Sequence, residues 1–230
     1  MRLKTFILLF SLLFFKTYSQ IRYDVERATI SIKDFNSIKV YSGLEVKLIP
    51  SDKNIVYVYG DNIEKVIISI KRKTMKIKLP VESLFKTGYN YIEVFYSKNL
   101  EFISAYQGSV VTNKKTIKTN QISIKAKEGS NISAKISVNN LKANVSSGAK
   151  LKLTGVSNEV NLKVSAGGLI NAEKLESNKA QVISIAGATS SIRVKELANL
   201  KINAGGKIEV YGKPKQVISR YTLGGKVLLK

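Results

Sequence analysis

The sequence predicts an all-β chain wound as a β-solenoid, right-handed and parallel-β-helix-like, of about six or seven coils of ~19 residues behind an N-terminal β cap. Three observations predict it. Glycines recur at 108, 129, 148, 167, 187, 205 and 224, at intervals of 18 to 21 residues. Aliphatic residues between them alternate with polar ones at period two, as in Ile122, Ile124 and Ala126, in Leu162, Val164 and Ala166, and in Leu200, Ile202 and Ala204. Proline is missing between Pro80 and Pro214, and Phe and Tyr are missing between Tyr106 and Tyr211.

Each observation has a physical reason. Period two with β-branched residues is the pattern of a strand with one buried face, whereas a helical repeat would show a 3.6-residue period. A sharp corner needs positive φ or close backbone approach, and glycine supplies either. The best internal match, Leu162-Lys163-Val164-Ser165-Ala166-Gly167-Gly168 against Leu200-Lys201-Ile202-Asn203-Ala204-Gly205-Gly206, is offset by 38 residues, two periods of 19. A stretch without proline keeps every ladder donor, and a narrow interior accepts aliphatic side chains more readily than rings. Stacked at about 4.8 Å per strand, six or seven coils make a rod roughly 30 Å long.

The chain begins with a segment that reads as an export signal. Arg2 and Lys4 precede an apolar run over residues 5–15, and the small residues Thr17 and Ser19 follow. That run is too short for a membrane span, which needs roughly 20 residues. The organisation expected is therefore a signal peptide at 1–19, an N-terminal β region or cap at 20–106 and solenoid repeats at 107–230. The last two read together as one continuous domain, 20–230. No other stretch reaches transmembrane length. Short strands are expected at 28–32, 37–41, 44–49, 55–59, 66–70, 75–79 and 91–95, with turns at Asp34, Ser42-Gly43, Pro50-Ser51-Asp52 and Gly60-Asp61-Asn62. The expected location is exported: periplasm, outer surface or medium.

Of 230 residues, 38 are basic and 16 acidic, a net charge of +22, and 32 of the basic residues are Lys. With no His and no Cys, a Cys/His zinc site, a Ser-His-Asp or Cys-His nucleophile and a thiol redox centre are excluded. The four Asp residues, at 24, 34, 52 and 61, all precede the repeat, and the later Glu residues do not follow its period. Catalytic, cofactor and metal residues are therefore expected to be none, and the chain reads as no enzyme. Lys in place of Arg speaks against bidentate phosphate recognition. The lack of aromatic residues in the repeat speaks against specific nucleic-acid binding.

The strongest binding candidates are Tyr89, Tyr91, Glu93 and Phe95, which share one face of a strand whose other face carries Ile92, Val94 and Tyr96. If the aliphatics point inward, the tyrosines are free to stack on a sugar ring or a partner; the alternative is that these rings pack the cap against the first coil.

Several strings resemble a known family in their order: Asp34-Phe35-Asn36-Ser37-Ile38-Lys39-Val40, Val46-Lys47-Leu48-Ile49-Pro50, Val56-Tyr57-Val58-Tyr59-Gly60, the Met75–Leu79 strand, the repeated small-Gly turns, and Val210-Tyr211-Gly212-Lys213-Pro214 with a closing Gly224-Gly225. Over about residues 28–230 the sequence resembles the putative auto-transporter adhesin, head GIN domain family of exported Bacteroidetes proteins. The Gly-Ile-Asn triplet is not intact; Gly168-Leu169-Ile170-Asn171 is its nearest counterpart. The resemblance implies a right-handed β-helix-like fold at the cell envelope and brings no catalytic residues. The function expected is that of a non-catalytic, adhesin-like module for saccharide or anionic surfaces, with polysaccharide, lipopolysaccharide or a host or cell surface as partner. The alternatives are a carbohydrate-active lyase or hydrolase, and a passive scaffold that self-associates end to end into oligomers.

Overall fold

A computed structural model describes residues 27–61, 63–83 and 89–230; the expected export signal lies outside them. The architecture is a β-solenoid of about seven turns. From Phe102 onward the chain repeats one path: a strand on a first face, a two-residue corner, a strand on a second face, then a bend back to the first. The strands in order are β1 (Arg27–Ser31), β2 (Ser37–Val40), β3 (Glu45–Pro50), β4 (Ile55–Gly60), β5 (Ile67–Lys71), β6 (Thr74–Lys78), β7 (Asn90–Tyr96), β8 (Phe102–Ala105) and β9 (Val110–Asn113). There follow β10 (Ile117–Ala126), β11 (Asn131–Val145), β12 (Lys150–Ser165), β13 (Leu169–Ile185), β14 (Thr189–Asn203), β15 (Lys207–Tyr211), β16 (Gln216–Thr222) and β17 (Lys226–Leu229).

Every ladder from β8 onward is parallel, and register places like on like. On the first face Met75, Ile38, Ile103, Ile124, Ala143, Leu162, Val182 and Leu200 form one inward row. All are buried. On the second face Ile92, Val46, Val111, Ile132, Leu151, Ile170, Ser190 and Ile208 form another. Each buried aliphatic contributes about 1.5–3 kcal/mol, so these rows hold a fold that has no disulfide.

The seven predicted glycines are the corners, and Ser42-Gly43 makes an eighth. In each the residue before the glycine also has positive φ, from Ala166 at 48° to Ser42 at 67°, and the glycines of the repeat lie between 67° and 80°. Two successive left-handed residues make the corner, and nothing lies within 4 Å of a Cβ built on any of the seven. The corner glycine is needed for its dihedral, and not for close approach. Each corner also bonds to the next: the amides of Gly108, Gly129 and Gly148 donate to the carbonyls of Glu128, Ser147 and Ala166 at 2.9, 3.0 and 3.1 Å.

One expectation is corrected here. Ala166 and Ala204 do not continue the inward alternation; both are exposed. The buried sequence ends at Val164 and Ile202, because the following alanines are the first left-handed residue of the corner and turn their methyl groups outward.

The N-terminal strands belong to the same stack, out of chain order. The β2–β3 rung pairs in parallel with β8 and β9 on one side and with β6 and β7 on the other. The chain therefore leaves β3, builds the next rung, and crosses back to β8 with Phe35 and Leu100 buried at the crossing. Antiparallel strands extend the sheet there: β5 pairs with β6, β4 with β7, and β1 with β4.

Coil lengths of 20 and 18 residues are absorbed at one bend. Register shifts fall between Lys152 and Thr154, between Ala172 and Glu176, and between Ser177 and Lys179, leaving the corner side in step. Arg193 Nε donates to the Glu173 carbonyl at 2.7 Å and Lys195 pairs with Glu176 at 3.2 Å, which tie these bulges together.

Candidate functional site

Chemistry-bearing side chains gather where β7 lies between β3 and β4. Ile92 and Val94 are wholly buried, so β7 turns Tyr91, Glu93 and Phe95 outward; Tyr89, just ahead of it, is 59% exposed. The structure thus brings the four sequence-singled residues to one outer face. It adds three that sequence reading did not include: Tyr59 and Tyr57 from β4, paired opposite Tyr91 and Glu93, and Glu45 from β3, opposite Tyr91. The alternation of Val56-Tyr57-Val58-Tyr59 carried the signal for the β4 tyrosines, but antiparallel pairing with β7 could not be read from one strand.

The rings form a continuous cluster. Tyr59 and Tyr91 have centroids 5.9 Å apart, Tyr57 and Phe95 meet edge to face at 5.4 Å, and Tyr57 lies 6.4 Å from Tyr59. The Arg27 guanidinium sits 4.9 Å over the Tyr57 ring. Polar groups border the rings. The Tyr89 hydroxyl donates to Glu45 Oε2 at 2.8 Å, and the Tyr91 hydroxyl to Glu93 Oε1 at 3.1 Å. Lys47 Nζ stands 3.8 Å from the same Glu93 oxygen. Tyr59, Tyr89, Tyr91 and Glu93 line an open depression of about 430 Å³.

Burial, reinforced by the Glu93 carboxylate that accepts its hydrogen bond, pushes the Tyr91 phenol up to about 12. Burial and Glu45 raise Tyr89 in the same direction. Both phenols are held as donors. Rings, phenolic donors and carboxylate acceptors on a rigid sheet suit a ligand with an apolar face and a hydroxylated rim. Among the described residues no cluster of three or more acidic groups is placed to hold a metal ion, and no helix is long and apolar enough to cross a membrane.

Fold and geometry define a β-solenoid with a cluster of aromatic and carboxylate side chains on its outer surface. The chain belongs to the putative auto-transporter adhesin, head GIN domain family, whose model matches residues 34–214. Its fold is shared with a putative adhesin from Bacteroides fragilis NCTC 9343, at 19% identity over 90% of this chain and 97% of the other, with a TM-score of 0.78. A putative adhesin from Parabacteroides merdae ATCC 43184 matches at 16% identity over 91% and 97%, with a TM-score of 0.74. A putative lipid binding protein from Parabacteroides distasonis ATCC 8503 matches at 16% identity over 91% and 98%, with a TM-score of 0.69. No functionally curated protein matches the sequence.

Proposed function

We propose that the protein is an exported, non-catalytic adhesin-type module that takes a saccharide on the outer face of β7, through Tyr59, Tyr89, Tyr91, Glu93 and Phe95. One observation carries this reading: a cluster of rings left outward by strands whose other side is fully buried, bordered by two carboxylates that already accept hydrogen bonds from hydroxyls. A pyranose presents the same two chemistries, apolar C–H faces and a rim of hydroxyls. The site is built on paired strands, so little ordering entropy is lost on binding. The family supports an adhesin role, and the leader-like first 19 residues support export.

A glycan array on the purified protein tests it. Binding to a defined set of glycans should fall at least tenfold in Tyr91→Ala and in Tyr89→Ala, with the melting curve unchanged. Parent-like binding by both variants would remove the site from this face. Glu93 lining the depression, with Glu45 bonded to Tyr89 beside it, favours a second reading, a carbohydrate-active enzyme. It predicts release of reducing ends from a bound glycan, lost in Glu93→Gln; binding without release upholds the adhesin reading.

A further inference from the structure

The two faces of the solenoid differ in charge. On the second face acids and bases interleave: Glu45, Lys47 and Glu93 on β3 and β7, and Lys207 with Glu209 at 2.6 Å on β15. On the first face, register aligns Lys76, Lys39, Ser104, Lys125, Asn144, Lys163, Ile183, Lys201 and Arg220 in one row, of which Ser104 is buried and the rest reach the surface. The parallel row beside it runs Thr74, Ser37, Phe102, Ser123, Lys142, Asn161, Gln181, Asn199 and Ile218. Together they hold seven cations and no acid. Among the described residues none of the seven lies within ion-pair distance of a carboxylate. Along the chain, Glu159 stands at the bend, two residues before Asn161, and Glu128 at the corner, three residues after Lys125.

This face is also furrowed. Lys142, Asn144, Asn161, Lys163, Gln181 and Ile183 line a groove of about 350 Å³. It runs on through Asn144 and Lys142 into a second hollow that reaches Lys125 and Phe102. A third is lined by Lys39, Tyr41, Lys71, Arg72 and Lys76. The hollows follow the long axis, across the strands.

We propose that this face is a second binding site, separate from the tyrosine cluster, and that it holds a linear carboxylated polysaccharide along the rod. Cations of one row recur every second coil at Lys125, Lys163 and Lys201, an advance of about 9.6 Å, close to the length of a disaccharide in an extended glycan. Lys142 fills the intervening coil from the adjacent row. The amides Asn144, Asn161, Gln181 and Asn199 between the charges can donate to and accept from sugar hydroxyls. The chemistry favours a glycan over other polyanions. Six of the seven cations are Lys, which lacks the bidentate fork that phosphate rewards. Phe102 is the one ring in the two rows, too few for a track of stacked bases. Two rows of side chains make a strip too narrow for the broad basic patch by which proteins lie on anionic bilayers.

The probe is polygalacturonate, with its fully methyl-esterified form as the uncharged counterpart of the same backbone. At low salt the parent should bind the acid form at least tenfold more tightly than the ester, and the difference should shrink as salt rises. The triple variant Lys125→Ser, Lys142→Ser, Lys163→Ser should lose at least tenfold for the acid form. The triple Lys150→Ser, Lys152→Ser, Lys174→Ser removes the same charge elsewhere and should lose less than threefold. Melting curves of both triples confirm folding. Equal losses in the two triples would reduce the effect to net charge and overturn the proposal. Equal affinity for duplex DNA or phosphatidylglycerol vesicles, lost in the same triple, would also overturn it. Tyr91→Ala should leave polygalacturonate binding unchanged, so this site and the tyrosine site fail or stand separately.

Discussion

The amide of Gly148 donates to the carbonyl of Ala166, 3.1 Å away and one coil further along the rod. Both residues are left-handed, Gly148 at φ 69° and Ala166 at 48°. The bond joins a residue that adopts this conformation freely to one that does so under strain, and the same pairing repeats at each corner. Parallel strands need their corners to coincide, and this column of bonds supplies the coincidence. Local strain in one residue per coil is thus offset by a ladder that no single coil could form.

This pairing sets opposite expectations for two substitutions. Gly148→Ala should cost about 1–2 kcal/mol, the penalty of a left-handed Cβ, since no atom lies within 4 Å to clash with it. Ala166→Gly should gain about 0.5 kcal/mol, the relief of that strain less the greater freedom of an unfolded glycine. Gly155→Ala should cost more than either, because its Cβ would stand 2.0 Å from the Ile136 carbonyl oxygen. Urea unfolding of the three variants checks the order. A destabilised Ala166→Gly would show that the alanine is not strained.

Buried serines divide by partner. Ser130 Oγ donates to the Ala105 carbonyl at 2.9 Å and accepts from the Lys127 amide at 3.0 Å. Ser190 Oγ stands in an aliphatic row between Ile170 and Ile208, buried and without a partner. Ser130→Ala should therefore cost about 1 kcal/mol, and Ser190→Ala should gain about 1 kcal/mol by removing an unanswered hydroxyl. Thermal unfolding of the two, run side by side, should move the midpoint in opposite directions. A shared direction would refute the division.

The coils were readable in the sequence because period and parity are local. The glycine spacing, the aliphatic alternation and all seven short strands of the N-terminal region have their counterparts in the structure, within a residue or two. What lay hidden was non-local. The β2–β3 rung sits between the β6–β7 and β8–β9 rungs in space, and no spacing announces a rung inserted out of order. The β5–β6 hairpin turns through Arg72 and Lys73 at φ 48° and 59°, without the Asn or Gly that marks such turns. The inward row ending at Val164 rather than Ala166 was hidden because alanine suits an interior and a corner equally. At the candidate site one strand was readable and its partners were not: Tyr91 and Glu93 followed from alternation, whereas Tyr59 and Glu45 arrive from strands paired across 30 residues or more.

The inserted rung is locked by a stack. Tyr41, after β2, lies parallel to Tyr106, after β8, with centroids 4.7 Å apart and planes 10° apart, and Lys76 Nζ stands 4.9 Å over the Tyr41 ring. A double-mutant cycle with Tyr41→Ala and Tyr106→Ala should give a coupling of about 0.5–1.5 kcal/mol. Because the two rungs are joined by no short connection, the coupling should fall on global unfolding rather than on fraying of one end. A coupling indistinguishable from zero would make the stack incidental to the order of the rungs.

The Tyr91 phenol offers a test that needs no ligand. Its value of about 12 lies above the ordinary 10.0, first through burial and then through the hydrogen bond to Glu93. A group whose folded value is raised stabilises the fold fully below its ordinary value and ceases to do so as pH climbs through the folded one. Stability should therefore decline between about pH 10 and 12. In Glu93→Gln the shift should shrink without vanishing, since burial remains. Tyr96, also near 12 but through burial alone, should stay where it is and serve as the internal reference. Phenolate absorbance followed against pH in parent and variant reads both. A Tyr91 that titrates identically in the two would mean that the carboxylate does not hold the phenol proton, and the donor–acceptor rim proposed for saccharide would lose its central pair.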